Sequence, residues 1–218
     1  AGTHLHILHL AAGDGVDLIR RAQKEGYAVT GETCPHYLAL TDADAEKCGS
    51  MIKGYPPVRR QYDQDLLWAG LNDGTLSHVC SDHAPHSVEE KSQDLWNAPA
   101  GMASIETMGP IMINAVNEGK ITINKLAQLM SENPAKMYST YPNKGSLEVG
   151  TDADIVIIDL DTEYTFDQAT MHSRTKLSPY NGFKMKGRPC ETILRGRIIA
   201  KDGEIVGAPS GKFIRPNK

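Results

Sequence analysis

The stretch Leu76-Ser77-His78-Val79-Cys80-Ser81-Asp82-His83-Ala84-Pro85-His86 holds the densest set of side chains able to do chemistry. It reads as a short buried strand that stops on a carboxylate and two imidazoles and then turns at Pro85. Asp-His-x-x-His after a strand offers hard oxygen and nitrogen donors together, which a catalytic divalent metal needs. The plain alternative is a polar loop whose histidines are solvated or hydrogen-bonded. A second signal favours the metal. His9 closes another apolar strand, Leu5-His6-Ile7-Leu8-His9, as Asp82 closes this one. Functional residues at the carboxyl ends of parallel strands mark a βα-barrel site.

The elements that must position these residues follow from punctuation and periodicity. Asp14 is the expected N-cap of a helix through Val16, Leu18, Ile19, Ala22 and Lys24, and Gly26 ends it. Residues 27–34 read as the next strand, so strand, helix and strand form a βαβ unit with parallel pairing. His36 leaves that strand; a structural histidine bonding a neighbouring loop is expected there, with a ligand role as the alternative. The loop Lys53-Gly54-Tyr55-Pro56-Pro57-Val58-Arg59 is stiffened by paired prolines. A helix over residues 64–71, with Gly74 past its end, delivers the chain to the strand ending at Asp82.

Pro99-Ala100-Gly101-Met102 is a second backbone-defined loop, in which Gly101 permits close approach by a ligand. Helical spacing returns over residues 106–117, Thr122 caps a further helix, and Asn133-Pro134 is expected to start another. From Lys144 the texture becomes β-branched, with Ile155-Val156-Ile157-Ile158. Residues 192–200 and 204–206 read as a hairpin around Asp202-Gly203. The expected domains are therefore 1–143 (α/β), 144–206 (all-β) and an extended tail, 207–218.

Composition narrows the classes. Hydrophobic residues make up 40% and charged residues 23%, as in ordinary globular chains. A net charge of -4 argues against nucleic acid as a partner, and no apolar run reaches membrane-spanning length. Cys34, Cys48, Cys80 and Cys190 form no Cys-x-x-Cys pair, so reduced thiols and a cytoplasmic location are expected. The chain starts in mid-strand, without Met, which suggests a fragment or a processed product.

Four stretches together are similar to one known family: His9 in Ile7-Leu8-His9-Leu10; Gly31-Glu32-Thr33-Cys34-Pro35-His36-Tyr37-Leu38; Ser81-Asp82-His83-Ala84-Pro85-His86; and Gly150-Thr151-Asp152-Ala153-Asp154-Ile155-Val156. In order and spacing, over nearly the whole chain, they resemble the C-terminal half of the cyclic amidohydrolases, the group of dihydropyrimidinases (hydantoinases), allantoinases and dihydroorotases. The resemblance implies an α/β fold: the C-terminal part of a (β/α)8 (TIM) barrel followed by part of a small β-sandwich. It implies a binuclear metal centre, usually zinc, and hydrolysis of a cyclic amide by a metal-activated hydroxide. On it, His9 and Asp82 match metal ligands, and Asp82 also matches the general base and acid. His86 matches a substrate-carboxylate position, and Tyr55, Ala100 and Gly101 match segments that hold the ring.

The same resemblance places a His-x-His pair, a carboxylated lysine and a further histidine in an N-terminal half that precedes Ala1. His4-x-His6 is no substitute, since alternation aims both to one face and His9 to the other. The chain is therefore expected to supply part of a site, to be inactive alone, and to need the N-terminal half of the same enzyme. The signals for the ring substrate divide, two C-terminal ones leaning to a hydantoin or dihydropyrimidine ring against one for allantoin or dihydroorotate: the catalytic loop looks like the allantoinase and dihydroorotase branch. Ser178-Pro179-Tyr180-Asn181-Gly182 and the Gly211-Lys212-Phe213-Ile214-Arg215 tail look like the hydantoinase branch, which implies a homotetramer or homodimer. The competing reading is a non-catalytic scaffold relative.

Overall fold

A computed structural model describes residues 2–216. The chain start at Ala1 and the last two residues of the expected tail, Asn217 and Lys218, lie outside the described residues. Two compact units emerge, one of residues 2–111 and 164–185, the other of residues 112–163 and 186–216.

The first unit is built on three parallel strands, β1 (Leu5–Ile7), β2 (Val29–Thr33) and β3 (His78–Val79), in that spatial order. Register sets His6 beside Thr30 and Glu32 beside His78. Helix α1 (Gly13–Lys24) links β1 to β2. Short α2 (Pro35–Ala39) and α3 (Ala45–Cys48) and the longer α4 (Gln61–Asp73) lie between β2 and β3. Helices α1 and α4 pack closely because Gly70 has no Cβ, which would otherwise meet Val16 Cγ1 at 2.7 Å. Val16, Leu67, Leu71 and Leu76 are fully buried there. A second core joins Leu40, Cys48, Ile52, Ile111, Phe166 and Tyr180. After β3 come α5 (Val88–Lys91) and α6 (Ile105–Asn117).

Helix α1 starts two residues earlier than expected. Ala12, not Asp14, precedes it, and the Gly13 N–H donates to Asp63 Oδ1 at 2.8 Å. The orphan donor of the first turn is thus satisfied from α4, which leaves Asp14 merely acidic in that turn. Gly26 (φ 85°) and Gly74 (φ 86°) end their helices as expected.

In the second unit, Thr122 does cap α7 (Ile123–Ala127), its hydroxyl accepting from Lys125 N–H. A helix does begin at Asn133-Pro134, but Asn133 is not its N-cap. A π-turn, Gln128–Glu132, runs straight into α8 (Asn133–Met137), and Glu132 and Asn133 both have helical backbone. The wider turn accommodates a ring that lacks an N–H and would clash one turn back in a regular α-helix.

A four-stranded sheet follows in the order β4 (Ile155–Thr165), β5 (Lys184–Leu194), β6 (Arg197–Lys201), β7 (Glu204–Ile205). The Asp202-Gly203 hairpin is present, both residues having positive φ (50° and 89°) as a type I′ turn requires. A second turn of the same kind, Arg195-Gly196 (46° and 76°), splits the expected 192–200 strand into antiparallel β5 and β6. Residues 209–216 form no helix or strand, and Ser210 O accepts from the Arg195 guanidinium.

Candidate functional site

The carboxyl ends of the three parallel strands carry the polar groups. Beyond β1, His9 adopts φ 37°; beyond β3, Asp82 adopts φ 45°. Side chains other than glycine rarely occupy this left-handed region, and histidine and aspartate there are held at some cost. At β1, strict alternation ends with Ile7. His9 thus lies beyond the strand on left-handed backbone, where period-two spacing no longer fixes the face its side chain takes.

Beyond β2, His36 is 1% exposed, and neither of its ring nitrogens has a hydrogen-bond partner among the described residues. The expected bond to a neighbouring loop is thus not made; the ring stands edge-on to Tyr37 at 4.1 Å. Burial, with the charge of nearby His9 adding to it, lowers its pKa to about 4, so the imidazole is neutral near pH 7. Cys34, His36 and Asp82 each offer a donor atom within 4.8 Å of the other two. A thiol, an unpartnered imidazole and a carboxylate in one such space fit a divalent transition metal. Cys34 Sγ also lies 3.4 Å from Cys80 Sγ, and this contact, together with burial, pushes the Cys34 thiol upward. Both cysteines are free thiols.

The histidines after Asp82 do other work. His83 Nδ1 accepts from the backbone N–H groups of Ser104 and Ile105, at 3.1 and 3.2 Å, and so tethers the start of α6. Of the Asp-His-x-x-His run, only Asp82 reaches the donor cluster. His86 Nε2 bonds Ala100 O at 3.0 Å, and its backbone carbonyl accepts from Thr175 Oγ1. Buried Lys91 donates to Pro99 O and Gly101 O at 3.1 and 3.0 Å; burial and the nearby Lys53 charge lower its pKa to about 8. Gly101 has φ 137°, and a Cβ there would collide with the Ala84 carbonyl oxygen and lie 2.9 Å from the Ala84 Cβ. Tyr55 is exposed on the proline loop, which Tyr37 holds through a 2.7 Å bond to Pro56 O. The residues expected at the ring thus sit on three tied-down segments: Tyr55 on the proline loop, His86 after Asp82, and Ala100 and Gly101 on the Pro99–Gly101 loop.

A further group escapes the sequence reading. His6, Glu32 and His78, one from each strand, form a second donor cluster at mid-strand. Its only trace in the sequence is period two: Glu32 to Cys34 and His78 to Cys80 step along one face of adjacent strands.

Residues 2–199 match the family described as "Amidohydrolase family". The chain is 41% identical to the L-hydantoinase of Paenarthrobacter aurescens over 98% of its own length and 48% of that protein. It is 36% identical to the allantoinase of Rubrobacter xylanophilus over 100% of its length and 48% of that protein. Among solved structures, the L-hydantoinase (dihydropyrimidinase) from Arthrobacter aurescens superposes with a TM-score of 0.92 at 40% identity, covering 95% of this chain and 47% of that one. The chain thus spans about half the length of the curated relatives it matches. The fold is α/β, the C-terminal part of a (β/α)8 barrel followed along the chain by part of a small β-sandwich.

Proposed function

Since this chain belongs to the amidohydrolase family, we propose that it supplies one half of the site of a metal-dependent hydrolase that opens a cyclic amide of the hydantoin or dihydropyrimidine type. The observation that carries the reading is Asp82, set on left-handed backbone at a strand end with its carboxylate among the donors of Cys34 and His36. His9 and Asp82 would hold the metal pair, taken as zinc, with the remaining ligands, including a carboxylated lysine, on the N-terminal half. When bound, such a pair polarises the amide carbonyl and makes water a competent nucleophile at neutral pH.

The residues of this chain then handle protons and position. The Asp82 carboxylate accepts the proton of the attacking water as the new C–O bond forms. It returns that proton to the ring nitrogen as the C–N bond breaks. The Pro99–Gly101 loop, pinned by Lys91 and His86, presents backbone groups to the ring. A scaffold role is disfavoured because neither strained strand end serves packing: His9 is half-buried and Asp82 exposed.

The test is ring opening of hydantoin, dihydrouracil, allantoin and dihydroorotate, followed chromatographically. The zinc-loaded longer polypeptide that carries this chain is expected to open the hydantoin or dihydropyrimidine ring fastest, and the 218-residue chain alone to open none. Asp82→Asn in the longer protein should lower kcat/KM by about 10^3-fold. Faster opening of allantoin or dihydroorotate would move the substrate to that branch. Full activity in the Asp82→Asn protein would remove Asp82 from the chemistry.

A further inference from the structure

The mid-strand cluster is independent of the proposed reaction. His6 Nε2 lies 3.3 Å from Glu32 Oε2, and His78 Nε2 lies 2.7 Å from the same oxygen. The two imidazoles are stacked 5.2 Å apart and 6° from parallel. Both Nδ1 atoms are anchored on hydroxyls, His6 on Thr30 Oγ1 at 2.7 Å and His78 on Ser77 Oγ at 2.8 Å. Ligating histidines are oriented in this way, one ring nitrogen held by a neighbour and the other aimed at the ion.

Ser77 Oγ lies 2.9 Å from the Gly31 carbonyl oxygen and 2.8 Å from His78 Nδ1, and the Gly31 carbonyl also accepts from the Ser77 N–H at 2.8 Å, so the hydroxyl hydrogen can go to either acceptor. With Nε2 protonated, His78 donates to the Glu32 carboxylate at 2.7 Å, and a divalent cation between Nε2 and Oε2 would take the place of that proton. A bound ion sets its donors about 3.3 Å apart. The His6 contact already matches, and the His78 contact needs to open by about half an ångström. His6 is the partly exposed member, 16% against 5% and 3%, so an ion can enter from its side.

We propose that His6, Glu32 and His78 form a second divalent transition-metal site, a two-histidine, one-carboxylate set one layer below the strand-end cluster, that binds zinc or cobalt in exchange for a proton.

The test is equilibrium dialysis of the 218-residue chain against Zn2+ or Co2+, with the His9→Ala/Asp82→Asn double variant as background. That background should keep one equivalent of metal, and adding His6→Asn should weaken it at least tenfold. His6 is at the half-buried end of the cluster, so this variant is expected to fold, which circular dichroism checks; His78→Ala is the second variant. Imidazole NMR signals of His6 and His78 should move on adding Zn2+ to the background. No metal on the background, or unchanged affinity in folded His6→Asn and His78→Ala, would overturn the site and leave the proposed reaction untouched. Loss of strand-end metal alone would do the reverse.

Discussion

Two donor clusters occupy the same three strands, and they are finished differently. At mid-strand, His6, Glu32 and His78 satisfy one another and their hydroxyl neighbours. At the carboxyl ends, His36 is buried with both nitrogens bare. A buried polar atom without a partner costs about 1–3 kcal/mol, so the strand ends give up stability for an atom left available. The mid-strand cluster stores its charge in a closed network, which a metal can enter only by displacing a proton. Unsatisfied donors suggest a ligand; satisfied ones have to be asked with a competitor.

Removing one donor from each cluster tests that contrast. Glu32→Gln removes the charge and leaves the His6 and His78 imidazoles a single amide oxygen as acceptor, and urea unfolding should show a loss of about 3 kcal/mol. A loss below ~1 kcal/mol would mean that the network holds nothing together. Gly101→Ala should cost about 2–3 kcal/mol, since it meets both a disfavoured φ and the Ala84 carbonyl. The same unfolding curve reads it, and an unchanged midpoint would show that the loop bends freely.

Lys91 contributes a pH dependence of known sign. Its folded pKa of about 8 lies below the unfolded 10.5, so between those values the unfolded chain holds a proton that the folded chain has released. Stability should therefore rise with pH across this window, by about 2 kcal/mol between pH 8 and 10. Lys91→Met should flatten the rise. An identical profile in both proteins would remove Lys91 as its source. The smallest effect, and one of opposite sign, is expected at the strand ends: His36→Leu loses no hydrogen bond and removes the two bare nitrogens, so it should raise stability by about 1 kcal/mol. A loss above ~3 kcal/mol would reveal a partner for the imidazole.

How much of this could be read in the sequence depends on whether the cause is local. Gly26, Gly74 and Asp202-Gly203 announce their turns because the left-handed backbone favours those residues. Arg195-Gly196 hides its turn because arginine gives no such signal. The π-turn before Pro134 is likewise invisible, since only packing selects it over a break. The strand-end places of Asp82 and His9 were legible because each follows an apolar run, while their roles rest on the resemblance. His83 was not, because its partner N–H groups lie about twenty residues on, at Ser104 and Ile105. The mid-strand cluster was hidden for a related reason: Glu32 meets His78 only through strand register. Expected substrate contacts at Tyr55, His86, Ala100 and Gly101 rest on the resemblance, and geometry adds that His86 braces the Pro99–Gly101 loop.

The left-handed backbone at Asp82 has a consequence for experimental design. Asparagine tolerates that conformation as readily as aspartate does. A one-atom exchange at this position therefore erases a charge while the local shape stays put. His9 offers no such substitute: asparagine keeps the backbone but shortens the side chain and removes the ring, and larger replacements resist the turn. Of the two strand ends, only one lets chemistry and architecture be varied separately.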